Sequence, residues 1–330
     1  MPAEAPAAGL GEFGRIARFL APLAAKAPGA LGLTDDAALI EVAPGERLVV
    51  TADAIVEGVH FLPEDPPDLI ARKLLRCNLS DLAAMAARPT SYILTMALPP
   101  RCDDRWVERF AAGLAVDQAE FGIDLIGGDS VSTPGPIALS VTAFGRITAG
   151  GEIRRSGARP GDILYVSGTI GDGALGLLAA TGRLLGLEPA ERDYLIDRYH
   201  LPQPRLALGT ALGGIATAMM DISDGLVGDL DHIAAASGVA AVIEAAHLPL
   251  SPAAASVLAD DIERLETVLT GGDDYELLFA APPGVDMAAI AAAAGTPVTA
   301  IGRIEPGDGV SVLDRDGASL ALQARGFRHG

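Results

Sequence analysis

Lysine is almost missing: Lys26 and Lys73 are the only two in 330 residues. Neither follows a glycine, so the chain has no GKS or GKT and a P-loop is excluded. Basic residues number 24 against 43 acidic ones, for a formal charge of −19 at pH 7. That balance argues against a nucleic-acid partner, which wants a basic face, and against an anionic membrane surface. Two cysteines, Cys77 and Cys102, are too few for a disulfide framework, and no CxxC or His-x₃-His pair suggests zinc. No uncharged apolar run reaches membrane-spanning length, and "MPAEAPAAGLGEFG" lacks the basic and apolar regions of a secretory signal. The expectation is a soluble, reduced, cytoplasmic protein.

What is present is a chain that is 50% hydrophobic, enough for a sizeable core. Helical spacing appears in Glu12–Ala25, Pro67–Ala86 and Asp103–Phe121, the last with Val107, Phe110, Ala111 and Leu114 on one face. Strand-like runs lie between them: "RLVVTAD", "SYILTMALP", "IDLIGGD" and "PIALSVTAFGRI". The glycine- and charge-rich Thr148–Asp162 reads as a connection. Beyond it "ILYVSG" opens a second series, with helices near Gly171–Arg183, Ala190–Tyr199, Arg205–Ala216 and Gly225–Ala236. Strands "AAVIEA", "YELLFAAP" and "PVTAIGRI" alternate with them. The pattern predicts two α/β domains, residues 1–150 and 151–330.

"GDGALG" (Gly171–Gly176) is a literal GxGxxG after a strand. The acidic residue that should end a second strand about twenty residues on is replaced by the helical "ERDYLIDRYH", so a plain glycine-rich turn is the better reading. More telling are aspartates beside glycine or small residues: Asp35, Asp36, Asp53, Asp81, Asp129, Asp221, Asp224, Asp273 and Asp274. "MDISDGLVGDLDHI" alone packs four aspartates into the eleven residues from Asp221 to Asp231. Each one singly is a helix cap or turn residue by default; Asp81, for example, fits the first turn of a helix capped by Ser80. Together they suggest a hard cation held by carboxylates with an anion beyond it. Paired glycines in "DLIGGD" and "VLTGGDD" let backbone approach such an anion. His60 and Arg155 carry bland defaults, a satisfied structural histidine and a solvated charge.

Eight segments taken together are specific: "GEFGRIARF", "TDDAAL", "TADAIVEGVHF", "NLSDLAAMAARP", "LIGGDS", "RRSGARPGDILYVSGTIGD", "MDISDGLVGDLDHI" and "LTGGDDYELLF". In this order they resemble the thiamine-monophosphate kinase family, of the aminoimidazole ribonucleotide synthetase superfamily. The resemblance implies a two-domain α/β (α+β) fold whose N-terminal strands pair across a homodimer. The N-terminal domain would bind metal and ATP, and the C-terminal one would close the active site. It implies ATP-dependent phosphorylation of thiamine monophosphate to thiamine diphosphate, with several Mg²⁺ ions and no catalytic residue beyond the metal ligands. Those ligands would be Asp36, Thr51, Asp53, Asp81, Asp129, Asp221 and Asp224. ATP would meet Gly128, Asp129, Arg155 and Ser223; the thiamine phosphate would meet His60, Asp273 and Phe327. Departures are Thr34 for glycine, Ala52 for threonine and Ser130 for threonine, and Ala52 leaves only a carbonyl for any metal contact there.

The implied chemistry suits the composition. A phosphate acceptor with a second pKa near 6 is already largely deprotonated at neutral pH, so no general base is needed. The obstacle is repulsion: two unit charges about 4 Å apart cost roughly 4 kcal/mol at an effective dielectric of 20. With almost no lysine, screening falls to metal ions held by many aspartates. Two other readings remain open, a ligase of the same superfamily and a non-catalytic acidic metal-binding protein.

Overall fold

The computed structural model describes residues 10–34, 37–324 and 326. Asp36 and Phe327 lie outside the described residues. The chain forms two compact units. The first comprises Met1–Pro44, Val50–Asn78 and Pro89–Arg146; the second comprises Gly45–Val49, Leu79–Arg88 and Ile147–Gly330.

The first unit is built on a four-stranded sheet in the order β1-β4-β2-β3, from β1 (Glu46–Val56), β2 (Arg88–Leu98), β3 (Asp124–Ser132) and β4 (Ala138–Thr148). β2 and β3 are parallel, with Leu94 opposite Gly128 and Thr95 opposite Asp129. The periodic segment at Glu12–Ala25 is not one helix. It runs as a short α1 (Glu12–Arg15), a π turn at Ile16–Leu20 and a 3₁₀ turn at Ala21–Ala24. Pro22 explains the break, because it has no N–H to give and its ring crowds the carbonyl four residues back. Two longer helices follow, α2 (Pro67–Ala84), whose residues from Leu79 onward count with the second unit, and α3 (Asp104–Phe121). Asp103 caps α3 by accepting from the Trp106 N–H at 2.9 Å, and Gly122 ends it at φ 66°. Its face of Val107, Phe110, Ala111 and Leu114 is buried, as the spacing predicts. Asp117, also buried, is held by Arg72 at 2.8 Å and by Arg76, so its charge is paired.

The second unit has a six-stranded sheet in the order β10-β7-β9-β5-β8-β6. Its strands are β5 (Ile163–Ser167), β6 (Ala218–Asp221), β7 (Ala240–Glu244), β8 (Leu277–Ala281), β9 (Val298–Glu305) and β10 (Gly309–Leu313). Only the β10–β7 pair is parallel; the other neighbours are antiparallel. Both faces of the centre are covered, so β5 and β8 read as continuous apolar runs rather than alternating ones. On one face Leu164, Val166, Leu278 and Ala280 join the core formed with α4 (Asp172–Ala180), α5 (Pro189–His200), α7 (Leu226–Ser237), α8 (Pro252–Asp260) and α9 (Arg264–Thr270). On the other, Tyr165, Leu277 and Phe279 pack with α6 (Leu206–Ala211) and α10 (Met287–Ala294). The Tyr165 and Phe279 rings stack at 5.4 Å.

Candidate active site

In the first unit the candidate residues sit on the two edge strands. β1 carries Thr51 and Asp53, both half-buried; β3 carries Gly128 and Asp129, both exposed. β1 and β3 are three strand spacings apart, about 14 Å of sheet. The backbone at Asp53 is fixed from two sides. Its N–H donates to Asn78 Oδ1 at 3.2 Å, and its carbonyl accepts from Ser140 Oγ at 3.0 Å. Asn78 is itself buried and donates to the Leu74 carbonyl at 3.0 Å, so α2 sets the height of the strand.

His60 follows β1 in a short turn. Its Nδ1 accepts from the Val56 N–H at 3.0 Å, which leaves the ring proton on Nε2. One of the two lysines is used here: Lys73, 2% exposed, donates to the His60 carbonyl at 3.1 Å. A pocket of about 490 Å³ opens beside the "GGDS" end of β3, lined by Ile16, Leu20, Ile93 and Ile126 as well as Gly128 and Asp129. Gly128 has a structural reason besides any ligand: a Cβ there would stand 2.0 Å from the Leu94 carbonyl of β2.

In the second unit three motifs converge, each contact made through a glycine. A Cβ on Gly272 would meet the Ser223 carbonyl at 2.3 Å, and one on Gly173 would meet the Asp273 carbonyl at 2.3 Å. A Cβ on Gly225, at φ 125°, would stand 2.6 Å from the Thr270 carbonyl. Backbone hydrogen bonds complete the contact, from Asp273 N–H to Ser223 O at 2.9 Å and from Tyr275 N–H to Ile222 O at 2.8 Å. Thus "GDG", "DISDG" and "TGGDDYE" form one block. Asp221 is buried at the end of β6, whereas Ser223, Asp224 and Asp273 are half-exposed on the block.

Two buried aspartates hold this block from within. Asp229, in the first turn of α7, accepts at one oxygen from the N–H groups of Ser223 (3.0 Å), Asp224 (3.1 Å) and Gly225 (3.1 Å). Burial pushes its pKa up to about 7 against those three donors. Asp274 accepts from Gly171 N–H at 2.7 Å and Gly173 N–H at 3.1 Å, and burial pushes its pKa up to about 8. The α4 N-terminus, where a dinucleotide phosphate sits in a true GxGxxG, is therefore filled by the chain's own carboxylate. Below it Glu276, fully buried, accepts from Ser167 Oγ at 2.5 Å, Arg198 at 3.0 Å and both nitrogens of the Arg205 fork.

Matches to known proteins agree with this architecture. The family model described as AIR synthase related protein, N-terminal domain, matches residues 34–147, and its C-terminal counterpart matches 159–315. A thiamine-monophosphate kinase of Caulobacter vibrioides is 46% identical over 100% of this chain and 93% of its own length. The chain belongs to the thiamine-monophosphate kinase family. An Escherichia coli member is 38% identical over 97% of this chain and 98% of its own. The crystal structure of the Stenotrophomonas maltophilia kinase superposes with a TM-score of 0.84 at 42% identity, covering 95% of this chain and 99% of that one. A structure described as AaThiL complexed with AMPPCP and TMP superposes at 0.77 and 33% identity, covering 97% of each. The hydrogenase maturation protein HypE, at 20% identity and a TM-score of 0.76, shares the fold alone.

Within the frame of this kinase family the expected residues fall into two sets. Thr51, Asp53, His60, Gly128 and Asp129 lie in the first unit; Asp81, Arg155, Asp221, Ser223, Asp224 and Asp273 lie in the second. Asp81 is not in a first turn behind Ser80, because both lie well inside α2. The capping role open to Asp221 and Asp224 goes to neither: the N-cap of α7 is Gly225, and Asp229 takes the free N–H groups. Arg155 is exposed, and its carbonyl accepts from Ser237 Oγ at 3.2 Å. Among the described residues, no group of three or more His, Cys, Asp or Glu is gathered as a metal cluster. Sequence reasoning counted Asp274 among the telling aspartates and Asp229 within "MDISDGLVGDLDHI" without giving either a supporting role, and it missed Glu276. The only signal for Glu276 was an acidic residue ahead of an apolar run.

Proposed function

We propose that this protein transfers the γ-phosphoryl group of ATP to thiamine monophosphate, giving thiamine diphosphate and ADP. The observation that carries the reading is the glycine-locked block, which presents Ser223, Asp224 and Asp273 together while the N–H groups of Gly171, Gly173, Ser223, Asp224 and Gly225 are taken by internal carboxylates. Such a surface repels bare phosphate and suits phosphate that arrives with cations. The donor set fits magnesium: Thr51, Asp53, Asp81, Asp129, Asp221 and Asp224 offer only hard oxygen, with no sulfur or imidazole among them. Asp36 belongs to the same set by sequence. Bound there, Mg²⁺ ions would neutralise the polyphosphate and align donor and acceptor for an in-line displacement.

The chain's own residues do the rest. The pocket beside Gly128 and Asp129 is apolar enough for the adenine base and opens onto the "GGD" turn, while Ser223 and Arg155 offer polar contacts to ATP. His60, with Nδ1 engaged by Val56, presents Nε2–H as a neutral donor to a phosphate oxygen. Asp273 supplies a carboxylate to the cationic thiamine, and Phe327 an aromatic face. The acceptor oxygen needs no base, since it is ionised at neutral pH.

In this reading residues 1–150 dimerise through their strands and bind metal and ATP, and residues 151–330 close the active site. Val50 on β1 and Val131 on β3, 54% and 49% exposed, support the dimer. Among the described residues no helix is long and apolar enough to cross a membrane, and we place the reaction in the cytoplasm, where ATP is plentiful.

The test is direct: purified protein with ATP, Mg²⁺ and thiamine monophosphate should release ADP and form thiamine diphosphate in equal amounts. Velocity should keep rising with free Mg²⁺ beyond the amount that saturates ATP. ADP release indifferent to thiamine monophosphate would overturn the reading. Sedimentation should return twice the monomer mass of 33.6 kDa.

A further inference from the structure

Asp273 and Asp274 are neighbours with opposite fates. Asp273 is half-exposed on the block described above; Asp274 is fully buried. The backbone between them is unusual. Asp273 stands at φ 71° and Tyr275 at φ 51°, both left-handed, and a bulky residue such as tyrosine rarely adopts that region. A left-handed residue on each side of Asp274 turns one carboxylate out and its neighbour in. Such a conformation persists only where surrounding contacts over-determine it.

The contacts are present and centre on Asp274. Its two oxygens take the N–H groups of Gly171 and Gly173, and Arg198 Nη2 lies 3.5 Å from its carbonyl. Gly173 in turn leaves no room between α4 and the Asp273 carbonyl. Arg198 is fixed by Glu276 at 3.0 Å, and Asp172, beside Gly171 and Gly173, is fixed by Thr169, Tyr194 and Ser251 at 2.6, 3.0 and 2.6 Å. Arg198 Nε makes no hydrogen bond and lies 3.9 Å from Asp172 Oδ2, so the guanidinium is held by charge on that side and by Glu276 on the other.

We propose that Asp274 is a positioning residue: docked into the N-terminus of α4, it holds Asp273 turned outward toward the cationic thiamine substrate. The inference rests on the function proposed above. It assigns Asp274 no contact with substrate, only control over where Asp273 stands.

The test combines kinetics with hydrogen exchange. Asp274→Asn keeps the size but sets an NH₂ against one of two N–H donors. Its KM for thiamine monophosphate should rise about ten-fold while the KM for ATP stays within two-fold. Asp273→Asn tolerates the left-handed backbone and removes only the charge. The double variant Asp273→Asn/Asp274→Asn should then be no worse than Asp273→Asn alone, because Asp274 acts through its neighbour. By mass spectrometry, the peptide spanning residues 271–276 should exchange at least ten-fold faster in Asp274→Asn, with α7 unchanged.

Unchanged exchange over 271–276 overturns the proposal. So do KM values that rise together for both substrates, or single effects that simply multiply in the double variant. If Asp274→Asn does not fold, Asp274→Ser, which leaves room for a water against Gly171 and Gly173, replaces it in the same comparisons. If the wild-type protein fails to turn over thiamine monophosphate, the functional reading falls, and the exchange measurement alone decides whether Asp274 anchors the segment.

Discussion

Replacing Asp229 with alanine should separate an acceptor from a charge. Three N–H groups, from Ser223, Asp224 and Gly225, converge on the single oxygen Oδ2 at 3.0–3.1 Å. Alanine leaves all three without that acceptor. Ser223 and Asp224 are half-exposed, so water can replace part of what they lose; Gly225 is buried and cannot be so compensated. An orphaned buried donor costs about 1–3 kcal/mol, and allowing less for the two wetter groups gives about 3 kcal/mol in all. For a unit of about 200 residues that lowers the melting temperature by roughly 6–12 °C. Asparagine offers one amide oxygen at the place where the three bonds meet, so Asp229→Asn should cost less than about 1 kcal/mol. The assay is scanning calorimetry of the metal-free protein at pH 7, wild type beside both variants. Alanine and asparagine melting within 2 °C of each other would refute the reasoning. An asparagine variant as unstable as alanine would mean that the loop needs the charge rather than the acceptor.

Gly128→Ala should destabilise the first unit by about 1–3 kcal/mol and raise the KM for ATP, since its methyl meets the Leu94 carbonyl at 2.0 Å; unaltered melting would show that β2 and β3 can part. Glu276→Ala should cost about 3–5 kcal/mol because it strands Arg198 and Arg205, with Glu276→Gln milder; urea unfolding would rank the two. The stability of the metal-free protein should fall as pH rises. Asp274 has a folded pKa of about 8 against an ordinary 3.8, so the folded state holds the proton through that window and loses the advantage as pH climbs through it. Asp172, Arg198, Tyr194 and Glu276 share its surroundings, and Asp229, raised to about 7, acts in the same direction; the check is the melting profile from pH 5 to 8, which Asp274→Asn should make shallower without abolishing the share of Asp229.

The α/β class and most elements were legible because they carry a clear period or a clear cap. α3 runs Asp104–Phe121, within one residue of the Asp103–Phe121 that its apolar spacing predicts. The failures have physical causes. Pro22 breaks a good helical pattern at the N-terminus. β6 is four residues long, too short to show any alternation. The "YELLF" strand starts only at Leu277, because Tyr275 is bent into the left-handed region by contacts no local pattern encodes. Carboxylates that decorate the site were visible beside their glycines. The supporting role of Asp274 was not, since its partners Gly171 and Gly173 lie 103 and 101 residues away, whereas Asp229 takes N–H groups only four to six residues before it.

The glycine contacts among the three motifs of the second unit bear on how such a domain can be recombined. Each motif is shaped by backbone belonging to another: Gly173 by Asp273, Gly225 by Thr270, Gly272 by Ser223. A chimera that imports one loop from a ligase of the same fold would bring a side chain or a register against a carbonyl that cannot move. Three loops exchanged together would keep the fit. Productive crossover points therefore lie outside 171–276, in surface connections, and specificity in this fold should pass between relatives as a block rather than loop by loop.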